Sequence, residues 1–259
     1  MPSFPPVQSV QRALVLLAEL NRQRVTSIGE LHRRTGLPKP TIVRLLETLI
    51  AEGFAACDNR VGGYQVTSKV AALSSGFHGA PMVIEAARPW AIDLTRRLKW
   101  PVAVGLLQEN AVFVRFSTIP DSPVSPFHAT INLRLSLVSR ALGRAYLAYC
   151  PSGERRLLVG MLSASGHAED RPDNLARAVQ QLVRATRSRG FAERDANVEP
   201  RNSNTIAVPI MANKLVLATM GLTYFRSAVR RSTQIDTLVP ALKEARTHIE
   251  QSIQAMRAP

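Results

Sequence analysis

Along the first fifty residues the apolar positions recur at helical spacing, and strand-like runs appear only later in the chain. In "SVQRALVLLAEL", Val10, Ala13, Leu14 and Leu17 fall at i, i+3, i+4 and i+7. This predicts a helix that buries that stripe, with Ser9 capping its start. "TSIGELHRRTG" predicts a short second helix: Thr26 or Ser27 caps it, Glu30 completes a capping box and Gly36 supplies a left-handed exit. A third helix begins at "PKPT", where proline is tolerated because a first-turn N–H has no partner within the helix. Ile42, Leu45, Leu46 and Leu49 form its apolar stripe. The opposite face carries Thr41, Arg44 and Thr48, with Lys39 at the leading end. In "GFAACDNRVGGYQVT", two β-prone runs at 54–57 and 64–67 flank a turn of Asn, Gly and Arg, which predicts a hairpin.

Two short helices meeting at a glycine corner, the second apolar on one side and small, polar and basic on the other, followed by a basic hairpin, predict a winged helix-turn-helix. One face of the third helix would seat on its own domain while the other enters a DNA major groove about 12 Å wide. Ser27, Lys39, Thr41, Arg44 and Thr48 are the candidate DNA contacts there, and Arg60 at the hairpin tip is placed for a phosphate or the minor groove.

"SKVAALSSGFHGAP" continues as a short linker helix and dissolves into Ser, Gly and Pro, so a boundary is expected at 77–81, giving domains 1–76 and 77–259. "MVIEAARPWAIDLTRRLKW" then places Ile84, Ala87, Ala91, Leu94 and Leu98 near one helical face, with Pro89 expected to kink or divide the helix. Past Pro101 the pattern changes. "VAVGLL", "AVFVRFS", "TIAVPIMA" and "LVLATMGLTYF" read as strands. "SRALGRAYLAYC", "GERRLLVGML", "DNLARAVQQLVRATRSRGF" and "TLVPALKEARTHIEQSIQAM" read as helices between and after them. The expectation is an α+β domain, a mostly antiparallel sheet with helices packed on it.

Composition narrows the reading. At 259 residues and 46% hydrophobic, the chain has material for two cores. It has no run of 18 apolar residues and its first residues lack a secretory signal pattern. Two distant cysteines, Cys57 and Cys150, suit a reducing cytoplasm. The formal charge of +14 permits nucleic-acid binding without demonstrating it, because residues 1–80 hold 9 Lys/Arg against 5 Asp/Glu while residues 81–259 hold 24 against 14. There is no nucleophile elbow, phosphate loop or dinucleotide fingerprint. His32, His78, His128, His167 and His248 are scattered without metal-ligand spacing. No catalytic residue, metal site or cofactor is implied, and the chain reads as a non-enzyme.

"SVQRALVLLAEL", "IGELHRRTGLPKPTIVRLLETLIAEGF" and "GGYQVTSKVAAL" together resemble the N-terminal domain of the IclR family of bacterial transcription regulators. Pro40 stands where a small hydroxyl residue is common in the family, which removes one potential phosphate donor. "INLRLSLVSRALGRAYLAYCP" and "GFAERDANVEPRNSNTIAVPI" extend the resemblance through the second half, which in that family is GAF-like and binds a small metabolite. "SPFHAT" and "WPVAV" look closest to the branch controlling breakdown of hydroxylated phenylpropionates and related aromatic acids. By matching motif positions, the resemblance implies a pocket lined by Leu135, Leu137, Leu142, Gly143, Glu199, Ala207, Pro209, Gly221 and Thr223. Gly143 lies where exposed helix N–H groups favour a carboxylate. Arg115 and Arg134 are candidates for a bidentate ion pair, and His128 for a hydrogen bond to an effector hydroxyl.

The expected function is a DNA-binding regulator, dimeric or a dimer of dimers, that binds an operator duplex and senses a small organic acid to control a catabolic operon. The alternatives are an architectural DNA-binding protein whose second domain only oligomerises, and a metabolite-modifying enzyme tethered to DNA.

Overall fold

The computed structural model describes residues 4–58, 60, 62–73, 82–170 and 174–257. The chain divides into two compact units, Met1–Gly79 and Ala80–Pro259. The expected boundary at 77–81 and His78 lie outside the described residues. No helix among the described residues is long and apolar enough to cross a membrane.

In the first unit, α1 (Gln8–Leu20), α2 (Ile28–Thr35) and α3 (Lys39–Ala51) pack around Leu16, Leu20, Leu31, Ile42 and Leu46. The stripe expected to be buried on α1 is corrected here: Val10 and Leu14 are 54% and 60% exposed, while Leu16 and Leu20 are fully buried. Apolar residues run around most of α1, so periodicity alone does not select a face. Glu19 does: it is buried and accepts from Arg34 at 3.0 Å and Arg22 at 3.2 Å, which turns Leu16 and Leu20 inward. Ser9 lies inside the first turn rather than capping it.

The corner between α2 and α3 forms as the sequence predicts. Ser27 caps α2 by accepting from the Glu30 N–H, and Gly36 takes φ +70°, a left-handed conformation costly to any residue with a Cβ. The His32 Nδ1 to Leu37 carbonyl contact of 2.8 Å and the Thr35 Oγ1 to Leu31 carbonyl bond of 2.6 Å fasten the turn. Strands β1 (Ala55–Asp58) and β2 (Gly63–Val66) form the hairpin, and Thr26 adds a two-way backbone bridge to Tyr64. Helix α4 (Lys69–Ala72) follows.

The second unit begins with α5 (Met82–Leu98), one continuous helix through Pro89 rather than two helices joined there. Pro89 and Glu85, whose carbonyl loses its helical donor, both lie on the exposed face, where water can replace that bond. The strands are β3 (Val102–Gln108), β4 (Ala111–Ser117), β5 (Arg134–Ser136), β6 (Ala192–Glu193), β7 (Ser203–Ala212) and β8 (Leu215–Phe225). They form one antiparallel sheet in the order β5-β4-β3-β8-β7-β6. Helices α6 (Ala141–Tyr149), α7 (Ser152–Ser163), α8 (Leu175–Arg189), α9 (Arg231–Thr233) and α10 (Val239–Arg257) complete the domain, with a π turn at Gln234–Leu238.

The two faces of the sheet carry separate cores. Ile206, Val208, Ile210, Met220 and Leu222 bury against α5 and α10. Val112, Val114, Leu135 and Ala207 bury against α6, Leu158 and Leu162 of α7, and Val179 of α8. Helix α6 lies flush on its neighbours because Gly143 has no side chain: a Cβ there would sit 2.1 Å from the Ser136 carbonyl oxygen and 2.7 Å from Leu137 Cα. At Gly221 the obstacle is the movable Leu142 Cδ1, 2.5 Å away. Gly143→Ala is therefore expected to destabilise by about 3 kcal/mol and Gly221→Ala by about 1 kcal/mol, read from urea midpoints. Equal losses would mean that α6 can lift off β5 without cost.

Candidate functional site

On α3 the buried stripe is Ile42, Leu46 and Leu49, with Leu45 half-buried. Rotating away from it brings Lys39, Arg44 and Thr48 to the surface and leaves Thr41 half-buried. Thr48 Oγ1 donates to the Arg44 carbonyl at 2.9 Å, which fixes its hydroxyl and leaves the oxygen lone pairs outward as acceptors. Ser27 uses its oxygen as the cap acceptor, so its O–H remains to donate. Arg60 is exposed at the hairpin tip, where its N–H binds Asp58 Oδ1 at 2.9 Å. Arg22 and Arg34 are held by Glu19, but no described carboxylate lies within ion-pair distance of Lys39 or Arg44. A helix face with cationic donors uncommitted suits phosphates and base edges, and the arginine fork matches the two acceptors of a guanine.

In the second domain the residues of the implied effector pocket separate into two groups. Leu135, Leu137, Leu142, Gly143, Ala207, Pro209, Gly221 and Thr223 come together as the close-packed layer between α6 and the sheet. There Ala207 faces Gly221 in register, and Thr223 Oγ1 lies 3.0 Å from Thr205 Oγ1. The polar candidates do not join that layer. Arg115 is exposed on β4 and donates to Asn132 and Gln108. Arg134 donates to the fully buried carboxylate of Asp170 at 2.6 Å. His128 is exposed in the loop after β4. The Glu199 carboxylate pairs with the Arg201 guanidinium at 3.1 Å and accepts from the Arg201 N–H at 2.9 Å on the surface, while its carbonyl accepts from Arg140 at 2.9 Å.

The open space lies on the other side of the α6 N-terminus. A cleft of about 410 Å³ is bounded by α6, α8, the 3₁₀ turn Ala168–Asp170 and the segment after β6, with Ser139, Arg144, Glu169, Gln181 and Asp195 as its polar lining. Sequence reasoning missed these residues. Arg144 sits beside Gly143 in a segment already singled out, but Glu169 and Asp195 join it from distant positions. Arg140 grips Glu169 with Nε at 2.9 Å and Nη2 at 2.5 Å, and Ser139 Oγ adds a bond of 2.9 Å. Hydrogen bonds from Arg140 hold the Glu169 carboxyl below the usual carboxylate range, against a smaller upward push from its burial. Because the folded state depresses this group, its contribution to stability is present above the unfolded pKa of about 4.3 and is lost as pH falls through the folded value. Glu169→Gln should be less stable than wild type at pH 7, and urea denaturation should show that gap closing as the pH is lowered below about 4. A gap that is constant from pH 7 to 3 would show that the carboxylate charge does not hold the turn.

Residues 9–58 match the family model described as the IclR helix-turn-helix domain. The transcriptional regulator XynR of Escherichia coli (strain K12) is 26% identical over 230 residues, covering 87% of this chain and 89% of XynR. The structure of Thermotoga maritima IclR superposes with a TM-score of 0.65 at 17% identity, covering 94% of this chain and 98% of that one. An IclR homologue from Microbacterium hydrocarbonoxydans, solved with 4-hydroxybenzoate, gives 0.59 at 20% identity, covering 95% and 99%. With the wing, the uncommitted α3 face and the α+β second domain in place, residues 9–58 match the IclR helix-turn-helix domain, and the chain as a whole is similar to transcriptional regulators such as XynR.

Proposed function

We propose that this chain is a transcription regulator of the IclR family that reads an operator duplex with α3 and the β1–β2 wing, and that its second domain senses a small organic acid, of the aromatic class, to control a catabolic operon. The observation that carries the DNA half is the α3 face: Lys39 and Arg44 are exposed without an ion pair to a described carboxylate, on the side opposite fully buried Ile42. Arg44 reads a base edge, Thr41 and Thr48 contact neighbouring groups, and Ser27, Lys39 and Arg60 hold the phosphate backbone. Two copies present two such helices to half-sites about one helical turn apart. Val7, Val10 and Leu14, exposed along one side of α1, give a second copy an apolar surface to cover.

Two observations support the sensing half. The second domain contains a cleft of about 410 Å³ with apolar and polar lining, within the size range of ligand sites. A relative of the same fold was crystallised with 4-hydroxybenzoate. The layer containing Leu135, Leu137, Leu142, Gly143, Ala207, Pro209, Gly221 and Thr223 forms the floor under α6 on which a bound effector acts. Arg115, Arg134, His128 and Glu199 lie outside that layer.

Arg44→Ala should weaken operator binding by about 1–3 kcal/mol and relax preference at one base pair, measured by fluorescence anisotropy on operator and scrambled duplexes. Equal weakening on both duplexes would overturn the base-reading role. In thermal-shift screening, an acid present at about 100 times its dissociation constant should add about 2.7 kcal/mol of stability. A flat response across aromatic and aliphatic acids would favour a second domain that only oligomerises.

A further inference from the structure

We propose that the cleft between α6, α8, the turn Ala168–Asp170 and the segment after β6 binds a small monocarboxylate, with Arg144 taking the carboxylate and Leu182, Ala185 and Val198 taking the apolar body. The proposal rests on the acid-sensing reading above and gives it a specific location, outside the layer beneath α6.

The sign of the ligand follows from Arg144, the one cation among the described residues lining the cleft. Among the polar side chains lining it, Glu169 is consumed by Arg140 and Ser139. Asp195 accepts from the Asn197 N–H at 3.0 Å with one oxygen, and its own N–H donates to the Ser139 carbonyl at 2.8 Å. Its other oxygen lies 3.5 Å from Arg144 Nη1, beyond the 2.7–2.9 Å of a charge-assisted hydrogen bond. Arg144 is thus oriented by Asp195 without being consumed, and its Nε–H is buried with no partner. An unmatched buried donor costs free energy that an acceptor from outside recovers. The missing partner is therefore an acceptor, and against a guanidinium a carboxylate is the strongest one.

The lining limits the rest of the molecule. Glu169 and Asp195 both face the cleft, so a second carboxylate on the ligand would meet like charge. Leu182, Ala185 and Val198, joined by Val138, offer an apolar wall for a single ring or a short chain. The other arginines of this domain named above are committed elsewhere: Arg134 to Asp170, and Arg115 to Asn132 and Gln108. A second hollow, between α7 and α8, contains Arg155, but that guanidinium is spent on the Leu147, Ala148 and Cys150 carbonyls.

Isothermal titration of the full-length protein with benzoate, 3-phenylpropionate and succinate tests the proposal. Wild type should bind the two monocarboxylates at least tenfold more tightly than succinate. Arg144→Gln should weaken monocarboxylate binding roughly tenfold to a hundredfold. Ala185→Trp, a substitution at an exposed position on the cleft wall, should abolish it while leaving the circular dichroism spectrum unchanged. If both variants bind benzoate as tightly as wild type, the acid sits elsewhere in the domain; this inference falls and acid sensing stands. If wild type binds none of the monocarboxylates, both fall together.

Discussion

Cationic side chains outnumber carboxylates by fourteen along this chain, so no set of internal ion pairs can neutralise every basic group. Backbone carbonyls, water or an anion from outside must meet the remainder. The second domain absorbs much of its share internally. Glu193 holds Arg189 and Arg231 together, Asp170 holds Arg134, and Glu169 holds Arg140. Arg194, only 5% exposed, turns to the Pro200 and Ser203 carbonyls instead. Burial, with Arg140 and Arg226 nearby, pushes its pKa down to about 10. On α3 no such partner exists for Lys39 or Arg44, and the helix is free to present them to phosphate and base edges. The net charge does not localise a DNA-binding surface, and the α3 face proposed for that role is one of the places where basic side chains lack an ion pair to a described carboxylate.

Charge can be arranged in this way because the backbone beneath it is fixed. Gly36 sets the angle at which α3 leaves α2, and it owes this to φ +70° rather than to any crowding, since nothing lies within 4 Å of where its Cβ would be. Gly143 works by the opposite route. Its surroundings are so close that α6 is pressed against the Ser136–Leu137 backbone, and this close approach fixes Ser139 and Arg140 just before the helix and Arg144 in its first turn. Both domains therefore use a glycine to aim a helix, one through conformation and the other through contact distance.

How much of this the sequence reveals depends on how local the cause is. The α2 cap, the Gly36 exit and the Ile42–Leu46–Leu49 stripe rest on residues within one or two turns of each other, and all were legible. The long strands β3, β4, β7 and β8 were legible for the same reason. The buried face of α1 was not, because its selection rests on Glu19 meeting Arg34 fifteen residues later. Strands of two or three residues, β5 and β6, carry too little periodicity to be seen. The cleft was the least legible feature. Arg134 looked like an effector ligand until Asp170, 36 positions away, proved to occupy it, whereas Arg144 acquires its role from what fails to reach it.

The first turn of α6 is also where a ligand would exert most leverage within the domain. Ser139 and Arg140 bind Glu169 on one side. Arg140 holds the Glu199 carbonyl, and the Ser139 carbonyl receives the Asp195 N–H, on the other. An acid drawn to Arg144 lies beside Asp195, whose N–H ties the segment after β6 to the Ser139 carbonyl at 2.8 Å. A tenfold preference of an effector for one arrangement over another needs only about 1.4 kcal/mol. A single hydrogen bond to a charged group contributes about 1.5–3 kcal/mol, so gaining one such contact at Arg144 is enough to shift the balance. The free energy for switching need not come from unfolding any element; it is available in the acceptor that the Arg144 guanidinium lacks in the domain itself and gains from an external carboxylate.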